Sequence, residues 1–304
     1  MGQRRIRKLC FVPATFQQKI DKAAVVSRAS PQVADVDAVN DHFYDGGFVK
    51  KKMIGEGGNA AVFLAVCGEQ KYAMKEILAP VDKCGRPRPL RVLKEAAIMD
   101  RFGDPNIAKC VCATISDDYS QVRIFMELAR YGDLHSFVEK RGYLHPKTAQ
   151  LFVDQIVSGL RVIHNAGYAH RDIKPNNVLV FGLRDVQITD FGVAKKLGSN
   201  DSVRADVGTP FFYPPEATLC CGGDVDGVAW DLWGASITHV YCLLGKYPWD
   251  EASMADPEYA AFQCGDFRSL VKIDRRWMRV KMDFWYLRQL LRHDPMKRKY
   301  PFSY

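Results

Sequence analysis

The hydrophobic pattern of this chain changes character once, near Gly132. From Phe48 to about Leu128, short apolar runs alternate with glycine-containing turns, which is typical of antiparallel β-strands. Beyond Gly132, apolar residues such as Phe152 and Ile156 recur at helical spacing and mark one face of a long helix. The pattern therefore predicts an α+β fold, in which a small β-rich lobe with one main helix precedes a larger α-helical lobe. Later helices are predicted near 226–244, 257–263 and 282–292, and the last strands of the first lobe near 107–115 and 121–128.

Charge separates an N-terminal tail from the rest of the chain. Residues 1–30 contain seven Lys or Arg and one acid, whereas residues 31–47 contain four Asp and neither Lys nor Arg. We interpret the tail as flexible and solvated, although such a basic cluster can also bind acidic lipid or nucleic acid. The predicted segments are a tail at 1–45, a folded domain at 46–300 with lobes at 46–129 and 130–300, and a short end at 301–304.

Composition excludes several classes of protein. With 47% hydrophobic residues, the 304-residue chain is not disordered throughout. Nine cysteines, an odd number, and a basic start without a following apolar segment predict reduced thiols and an intracellular location, with cytoplasm and nucleus both left open. Residues 227–245 are apolar except for Asp231 and His239, so we expect a buried core helix there rather than a membrane span.

A glycine-rich run at residues 55–58 lies between two predicted strands. Taken alone, such a hairpin is more often a simple turn, but missing side chains also let backbone amides approach phosphate oxygens. Lys75 follows on the next strand, on the same face as Ala73, where it can reach the same phosphates. Glu95 on the predicted helix is the natural counter-ion for this lysine.

The most specific motif is His170–Asn177, which reads HRDIKPNN and is followed by Thr189–Gly192, which reads TDFG. With these motifs the chain resembles the eukaryotic protein kinase family over about residues 46–300. Lys174, two residues after Asp172, resembles the Ser/Thr class of that family. The resemblance implies a bilobal protein kinase-like fold, ATP and Mg²⁺ as cofactors, and transfer of a phosphoryl group to Ser or Thr of protein substrates.

The resemblance implies a role for each polar residue of these motifs. Lys75 would hold the α and β phosphates of ATP, and Glu95 would fix its position. Asp172 would orient the substrate hydroxyl and accept its proton, while Lys174 would neutralise charge on the transferring group. Arg171 would pair with a phosphate on the activation loop.

Metal and nucleotide contacts are implied in the same way. Asp190 would bind the Mg²⁺ that bridges the phosphates, and Asn177 a second Mg²⁺. Met126 resembles the gatekeeper, residues 127–129 the hinge that receives adenine, and Asp133 the ribose contact. The full implied nucleotide-binding set is Ile54, Gly55, Glu56, Gly57, Gly58, Asn59, Ala60, Ala61, Val62, Ala73, Lys75, Met126, Glu127, Ala129, Asp133, Asn177 and Leu179.

Residues further along the chain add two expectations from the resemblance. Glu216 is expected to pair with Arg298. Asp231 is expected to accept backbone hydrogen bonds from residues 170–177, which correspond to the catalytic loop of the family. The activation loop departs from the common pattern, because Ala205 stands where many relatives carry a phosphorylated threonine. Three alternatives stay open: Asp206 partly replaces the phosphate, Ser199 or Ser202 is phosphorylated, or the loop needs no switch.

Three other functions compete with that of an active kinase. A pseudokinase scaffold is the first, but such proteins generally lose at least one of Lys75, Asp172, Asn177 and Asp190, all present here. A small-molecule kinase is the second, and it would lack the segment from Gly208 to Glu216. Nucleic-acid binding rests on the tail alone. No membrane or nucleic-acid partner is assigned, and activation by another kinase or by autophosphorylation is left open.

Overall fold

The computed structural model describes residues 43–44, 47–57, 60–116, 118–198, 210–219 and 225–298. The chain divides into two compact units. The N-terminal unit comprises residues 1–103 and 108–128, and the C-terminal unit residues 104–107 and 129–304. Most of the predicted tail and residues 301–304 lie outside the described residues.

The N-terminal unit contains an antiparallel sheet and one helix, as the sequence predicts. Its described strands are β1 (Phe43–Tyr44), β2 (Phe48–Gly57), β3 (Ala60–Cys67), β4 (Gln70–Leu78), β5 (Cys110–Ile115) and β6 (Gln121–Glu127). They lie in the order β1-β2-β3-β4-β6-β5, so β4 is a central strand. The helix, α1, spans Pro89–Phe102 and packs against β5.

An aromatic cluster fixes the central strands against each other. The Phe48 ring of β2 stacks on Phe125 of β6 with 4.2 Å between centroids, and meets the edge of Tyr72 of β4 at 5.2 Å. All three side chains are buried together with Met74. Burial of each large apolar side chain stabilises the unit by about 1.5–3 kcal/mol. The register that results pairs Lys75 with Ile124.

Helix α1 begins at a residue that favours a helix start and ends before a residue that favours a helix end. Pro89 occupies its first turn, where a missing backbone N–H costs nothing, and Gly103 follows its last residue with a left-handed φ of 57°. The buried face carries Ala96 and Met99 and also one charged residue, Glu95. A carboxylate at such a position needs a cationic partner.

The C-terminal unit is mainly helical. Its described α-helices are α2 (Leu134–Glu139), α3 (Pro146–Asn165), α4 (Pro215–Leu219), α5 (Gly227–Leu244), α6 (Pro257–Cys264), α7 (Phe267–Ile273) and α8 (Phe284–Leu290). Two small antiparallel pairs join β7 (Tyr168–Ala169) to β10 (Lys195–Lys196) and β8 (Val178–Gly182) to β9 (Asp185–Ile188). Short 3-10 helices cover Pro175–Asn177, Pro210–Phe212, Arg275–Val280 and Pro295–Lys297.

One predicted strand is shorter than expected. The strand predicted from Ile107 begins only at Cys110. Residues 104–107 belong instead to the C-terminal unit, where Ile107 forms an isolated bridge with Ile188. The apolar run therefore spans a boundary between the units rather than one element.

The predicted faces of the two long helices are confirmed. In α3, Phe152, Ile156, Leu160 and Ile163 are all buried. Helix α5 is buried along almost its whole length, as expected for a helix that is apolar on every side. Asp226 caps its start, accepting hydrogen bonds from the backbone of Val228 and Ala229. In the described part of the chain, no helix has the length and hydropathy required for crossing a membrane.

Candidate active site

The ion pair predicted in the N-terminal unit is present. Lys75 Nζ of β4 lies 2.8 Å from Glu95 Oε1 of α1. The two side chains are 13% and 5% exposed, so water screens the pair only weakly. Removing either partner would leave the other charge buried without this ion pair, which is destabilising. The pair thus fixes the lysine in one position on the sheet.

The glycine-rich run forms the end of the β2–β3 hairpin. Gly55 faces Val62, Glu56 faces Ala61 and Gly57 faces Ala60 across the two strands. Gly58 and Asn59 lie outside the described residues. Residues 54–62 of this hairpin are the part of the predicted nucleotide-binding set that lies in β2, in β3 and between these two strands.

Local backbone conformation does not explain the glycines of β2. Gly55 and Gly57 are absent from the residues with a positive φ, and a Cβ at Gly55 would meet Val62 at an ordinary 3.6 Å. Their expected role, access of backbone amides to a ligand, therefore stays a prediction.

Three other residues of the predicted nucleotide-binding set lie on β4 and β6. The buried Ala73 of β4 pairs with the buried Met126 of β6, and the exposed Glu127 is the last residue of β6.

In the C-terminal unit, one buried aspartate anchors the catalytic loop. Asp231 of α5 accepts hydrogen bonds from the backbone N–H groups of His170, at 2.8 Å to Oδ2, and Arg171, at 2.6 Å to Oδ1. This confirms the expectation from the sequence. His164 Nε2 of α3 lies 2.7 Å from the same Oδ2. Three contacts on one fully buried carboxylate make this a rigid support for the loop.

Close backbone contact reinforces this support. A Cβ built on Gly234, one turn beyond Asp231, would lie 2.6 Å from the Ile173 carbonyl oxygen of the catalytic loop. No side chain fits at that distance. Glycine at this position therefore allows α5 to touch the loop directly.

The centre of the loop holds three polar side chains together. Lys174 Nζ lies 2.8 Å from Asp172 Oδ2. Asn177 Nδ2 donates to the same Oδ2, also at 2.8 Å, and to the Asp172 backbone carbonyl. Because both donors hold Oδ2, the aspartate is fixed in orientation, and Oδ1 is the oxygen that neither of these two donors holds. Asp172 and Lys174 keep partial solvent access, whereas Asn177 is buried.

Asp190 lies beside Asn177 because of the pairing of β8 and β9. Val178 pairs with Ile188, and the Thr189 backbone N–H donates to the Asn177 carbonyl at 2.9 Å. Asp190 has a φ of 67°, a left-handed conformation that is uncommon for a residue with a side chain. Residues held in this way cluster at functional sites.

The donor set at Asn177 and Asp190 fits a magnesium ion. The amide nitrogen of Asn177 is committed to Asp172, which leaves its oxygen as a ligand, and Asp190 supplies a carboxylate. Mg²⁺ prefers such oxygens and usually completes its octahedron with water and phosphate. Among the described residues, no group of three or more His, Cys, Asp or Glu is placed to hold a metal by itself.

His170 and Arg171 organise the chain that follows Asp190. His170 Nε2 lies 3.0 Å from the Thr189 carbonyl, and its ring meets the Phe191 ring at 4.9 Å. Arg171, which also has a positive φ of 68°, donates from its guanidinium to the Val193 carbonyl. Burial lowers the pKa of this guanidinium, and the Asp231 carboxylate opposes that effect.

Other predicted residues have contacts of a structural kind. Asp133 caps α2, accepting from Ser136 N at 2.8 Å and from Ser136 Oγ at 2.9 Å. It also forms an isolated bridge with Leu179, so two members of the predicted nucleotide set are neighbours. Ala129 is the first residue of the second and longer segment of the C-terminal unit, residues 129–304.

The predicted pairing of Glu216 with Arg298 is confirmed. The guanidinium of Arg298 makes a bidentate contact with the Glu216 carboxylate, with distances of 2.5 and 2.6 Å. Ala205, Asp206, Ser199 and Ser202, on which the activation-loop alternatives depend, lie outside the described residues, as does Gly208.

Sequence reasoning missed His164. Its side chain is 5% exposed, and its contact with Asp231 joins residues 67 positions apart. Its signal in the sequence is a position near the end of α3, six residues before His170. That signal alone does not identify a partner.

Comparison with known proteins finds one matching family model and several similar proteins. Residues 48–299 match the family model described as protein kinase domain. Sperm motility kinase 3A of Mus musculus is 30% identical over 241 residues, which is 78% of this chain and 44% of that protein. Serine/threonine-protein kinase chk-1 of Caenorhabditis elegans is 35% identical over 159 residues, 50% of this chain and 31% of that protein. Mitogen-activated protein kinase kinase kinase 1 of Arabidopsis thaliana is 28% identical over 247 residues, 81% of this chain and 39% of that protein. The chain spans less than half the length of each of these relatives.

Proposed function

Because the chain belongs to the protein kinase family, we propose that it is an active enzyme that transfers the γ-phosphoryl group of Mg-ATP to Ser and Thr hydroxyls of proteins. The observation that carries the proposal is the geometry of Asp172, whose Oδ2 is held at 2.8 Å by both Lys174 and Asn177. A pseudokinase generally lacks at least one of Lys75, Asp172, Asn177 and Asp190, and all four are present here.

Asp172 is suited to receive the proton of the acceptor hydroxyl. Its Oδ1 is the carboxylate oxygen that neither Lys174 nor Asn177 holds, and the loop beneath it is fixed to α5 through Asp231. A carboxylate that is already oriented needs no reorganisation as the hydroxyl approaches. Lys174 stands beside it with a positive charge for the transferring group.

The remaining residues of the set would bind the nucleotide. Lys75, held by Glu95, offers a fixed positive charge to phosphate oxygens. Asp190 and Asn177 would hold Mg²⁺, which when bound neutralises phosphate charge. Transfer to Ser and Thr rather than Tyr is supported by Lys174 and by the name of the Caenorhabditis elegans relative.

The test is transfer of labelled γ-phosphate from Mg-ATP to a mixed peptide library. We expect label on serine and threonine, and a loss of about 10²- to 10⁴-fold in Asp172→Asn, because the proton acceptor is then neutral. Asp185→Asn is the matched control, since Asp185 is an exposed carboxylate on β9. This control should retain the wild-type rate.

Three outcomes would contradict the proposal. Transfer that persists unchanged in Asp172→Asn would assign the chemistry to another protein in the preparation. Magnesium-dependent ATP binding without transfer to any peptide would favour a scaffold, and label on tyrosine alone would contradict the Ser/Thr assignment.

A further inference from the structure

Positive charge is concentrated in one stretch of the C-terminal unit. Residues 268–298 contain ten Lys or Arg and three Asp, whereas the whole chain has a formal net charge of +8. All three aspartates are partly buried. Asp274, for example, is bound by Lys246 at 3.0 Å and by Arg276 at 2.7 Å. The exposed basic side chains of the stretch are Arg268, Lys272, Arg275, Arg276, Lys281 and Lys297.

Large apolar side chains project from the same stretch. Met278, Met282 and Trp285 are 50%, 90% and 64% exposed. We call these three residues the 278–285 face. Of the five tryptophans in the chain, Trp285 is the exposed one, and the other four, Trp230, Trp233, Trp249 and Trp277, are buried.

Helical spacing places the three residues on one side. The chain runs through the 3-10 helix Arg275–Val280, a turn, and α8, and the backbone of Lys281 between them is also helical. Met282 follows Met278 by four positions, and Trp285 follows Met282 by three. All three side chains are exposed, which places them on the solvent side of the run. The opposite side of the same run is buried, through Trp277, Val280, Phe284 and Leu287. Because the inner side already supplies the packing, folding of this run does not need the 278–285 face.

Basic residues border this face. Lys281, which is exposed, immediately precedes Met282, and the guanidinium of Arg288 lies 5.1 Å from the centre of the Trp285 ring. An apolar strip flanked by Lys and Arg is typical of helices that lie in the interface of an anionic bilayer. The apolar side chains enter the headgroup region, while the cations stay at the phosphates.

We propose that the 278–285 face binds the surface of anionic membranes. Charge complementarity favours this occupant, because every exposed charged residue within 268–298 is Lys or Arg. Of the acids nearby, Asp274 is paired with Lys246 and Arg276, and Asp266 is exposed. A peptide would require a groove, but these side chains protrude from the outer side of a helix. Nucleic acid would use the cations and leave Met282, at 90% exposure, without a function.

Intrinsic fluorescence tests the proposal directly, since Trp285 is the tryptophan that reports on the surface. The full chain, with its N-terminal tail, is mixed with vesicles of phosphatidylserine and phosphatidylcholine or of phosphatidylcholine alone. We expect a blue shift and co-sedimentation with the anionic vesicles only, weakened by 0.5 M salt. Acyl chains brominated near the headgroup should quench the emission.

The variants separate this face from the tail. Met282→Ser combined with Trp285→Ser should lower the vesicle partition coefficient about tenfold or more, because the inserted apolar area is lost. Met254→Ser removes a methionine of 56% exposure outside residues 268–298 and should leave binding unchanged. All variants keep residues 1–42, so a difference between them is not due to the tail. Unchanged thermal unfolding of the double variant checks that it folds.

Several results would overturn the proposal. Equal vesicle binding by the wild type and the double variant would assign the membrane contact to another region, such as the tail. Binding to neither kind of vesicle would exclude it outright. A dimer in sedimentation equilibrium that the double variant abolishes, without vesicle binding, would make a second copy the occupant. A spectral shift with a single-stranded oligonucleotide but not with vesicles would favour nucleic acid.

Discussion

Acid should destabilise this protein through one histidine of the buried helix α5. His239 is fully buried, and neither ring nitrogen has a hydrogen-bond partner among the described residues. Burial lowers the pKa of His239 from 6.5 to about 4, because the charged imidazolium loses its hydration. The folded state therefore holds this histidine neutral at pH values where the unfolded chain is already protonated.

The sign and size of the effect follow from linkage. Below pH 6.5 the unfolded state binds the proton more tightly, so the free energy of unfolding falls as the pH decreases, and the full penalty is reached below pH 4. The difference between the ordinary pKa of 6.5 and the value of about 4 in the folded protein lowers the free energy of unfolding by about 3 kcal/mol in total. About 2 kcal/mol of this loss is expected between pH 7.5 and pH 5.

Urea unfolding of the wild type and His239→Leu at pH 7.5 and pH 5 measures this contribution. The cavity or strain created by leucine is independent of pH, so it cancels when the two pH values are compared. We expect the wild type to lose about 2 kcal/mol more than the variant. His145→Asn is the control, because His145 is exposed and asparagine still caps the start of α3. Equal pH dependence in wild type and His239→Leu would refute the reasoning.

Three further substitutions test the site and its support. Glu95→Gln should reduce the rate of phosphoryl transfer at least about tenfold in kinetic assays, because Lys75 loses its counter-ion at 2.8 Å; an unchanged rate would make the pair purely structural. Gly234→Ala should lower the free energy of unfolding by about 1–3 kcal/mol, since its Cβ would lie 2.6 Å from the Ile173 carbonyl; a melting temperature equal to that of the wild type would show that the loop yields without cost. Arg298→Lys should cost about 1–3 kcal/mol in thermal unfolding, because lysine cannot form the bidentate contact with Glu216; full stability in the lysine variant would mean that charge alone suffices.

Local patterns predict most of the fold and the polar centre of the site. Alternation and helical spacing are readable over short windows of sequence, which is why the strands β2–β4 and the face of α3 agree with the prediction. Asp172, Lys174 and Asn177 lie within six consecutive positions, so the motif by itself requires them to be close in space. Helix α2, with six residues, is too short to show a period, and only its cap, Asp133, marks it.

Contacts between distant segments are harder to predict. The pairing of His164 with Asp231 depends on how α3 is rotated against α5, and a histidine near a helix end usually suggests a solvated side chain. The approach of Gly234 to Ile173 has the same origin, because a glycine within a helix gives no indication of which backbone it touches. The glycines of β2 show the reverse case, since the sequence suggests a function for them that their own backbone angles do not require.

The polar residues of α5 contribute both to the stability of the core and to the support of the catalytic loop. Ser236 and Thr238 donate to the carbonyls four residues earlier, and Asp231 is held by the catalytic loop and His164. Each of these buried groups has its hydrogen bonds, whereas His239 has none among the described residues. Because Asp231 anchors His170 and Arg171 from the same helix, the support of the catalytic loop should unfold together with the core. The temperature at which phosphoryl transfer is lost should therefore fall between pH 7.5 and pH 5, and His239→Leu should reduce this fall together with the loss of free energy of unfolding.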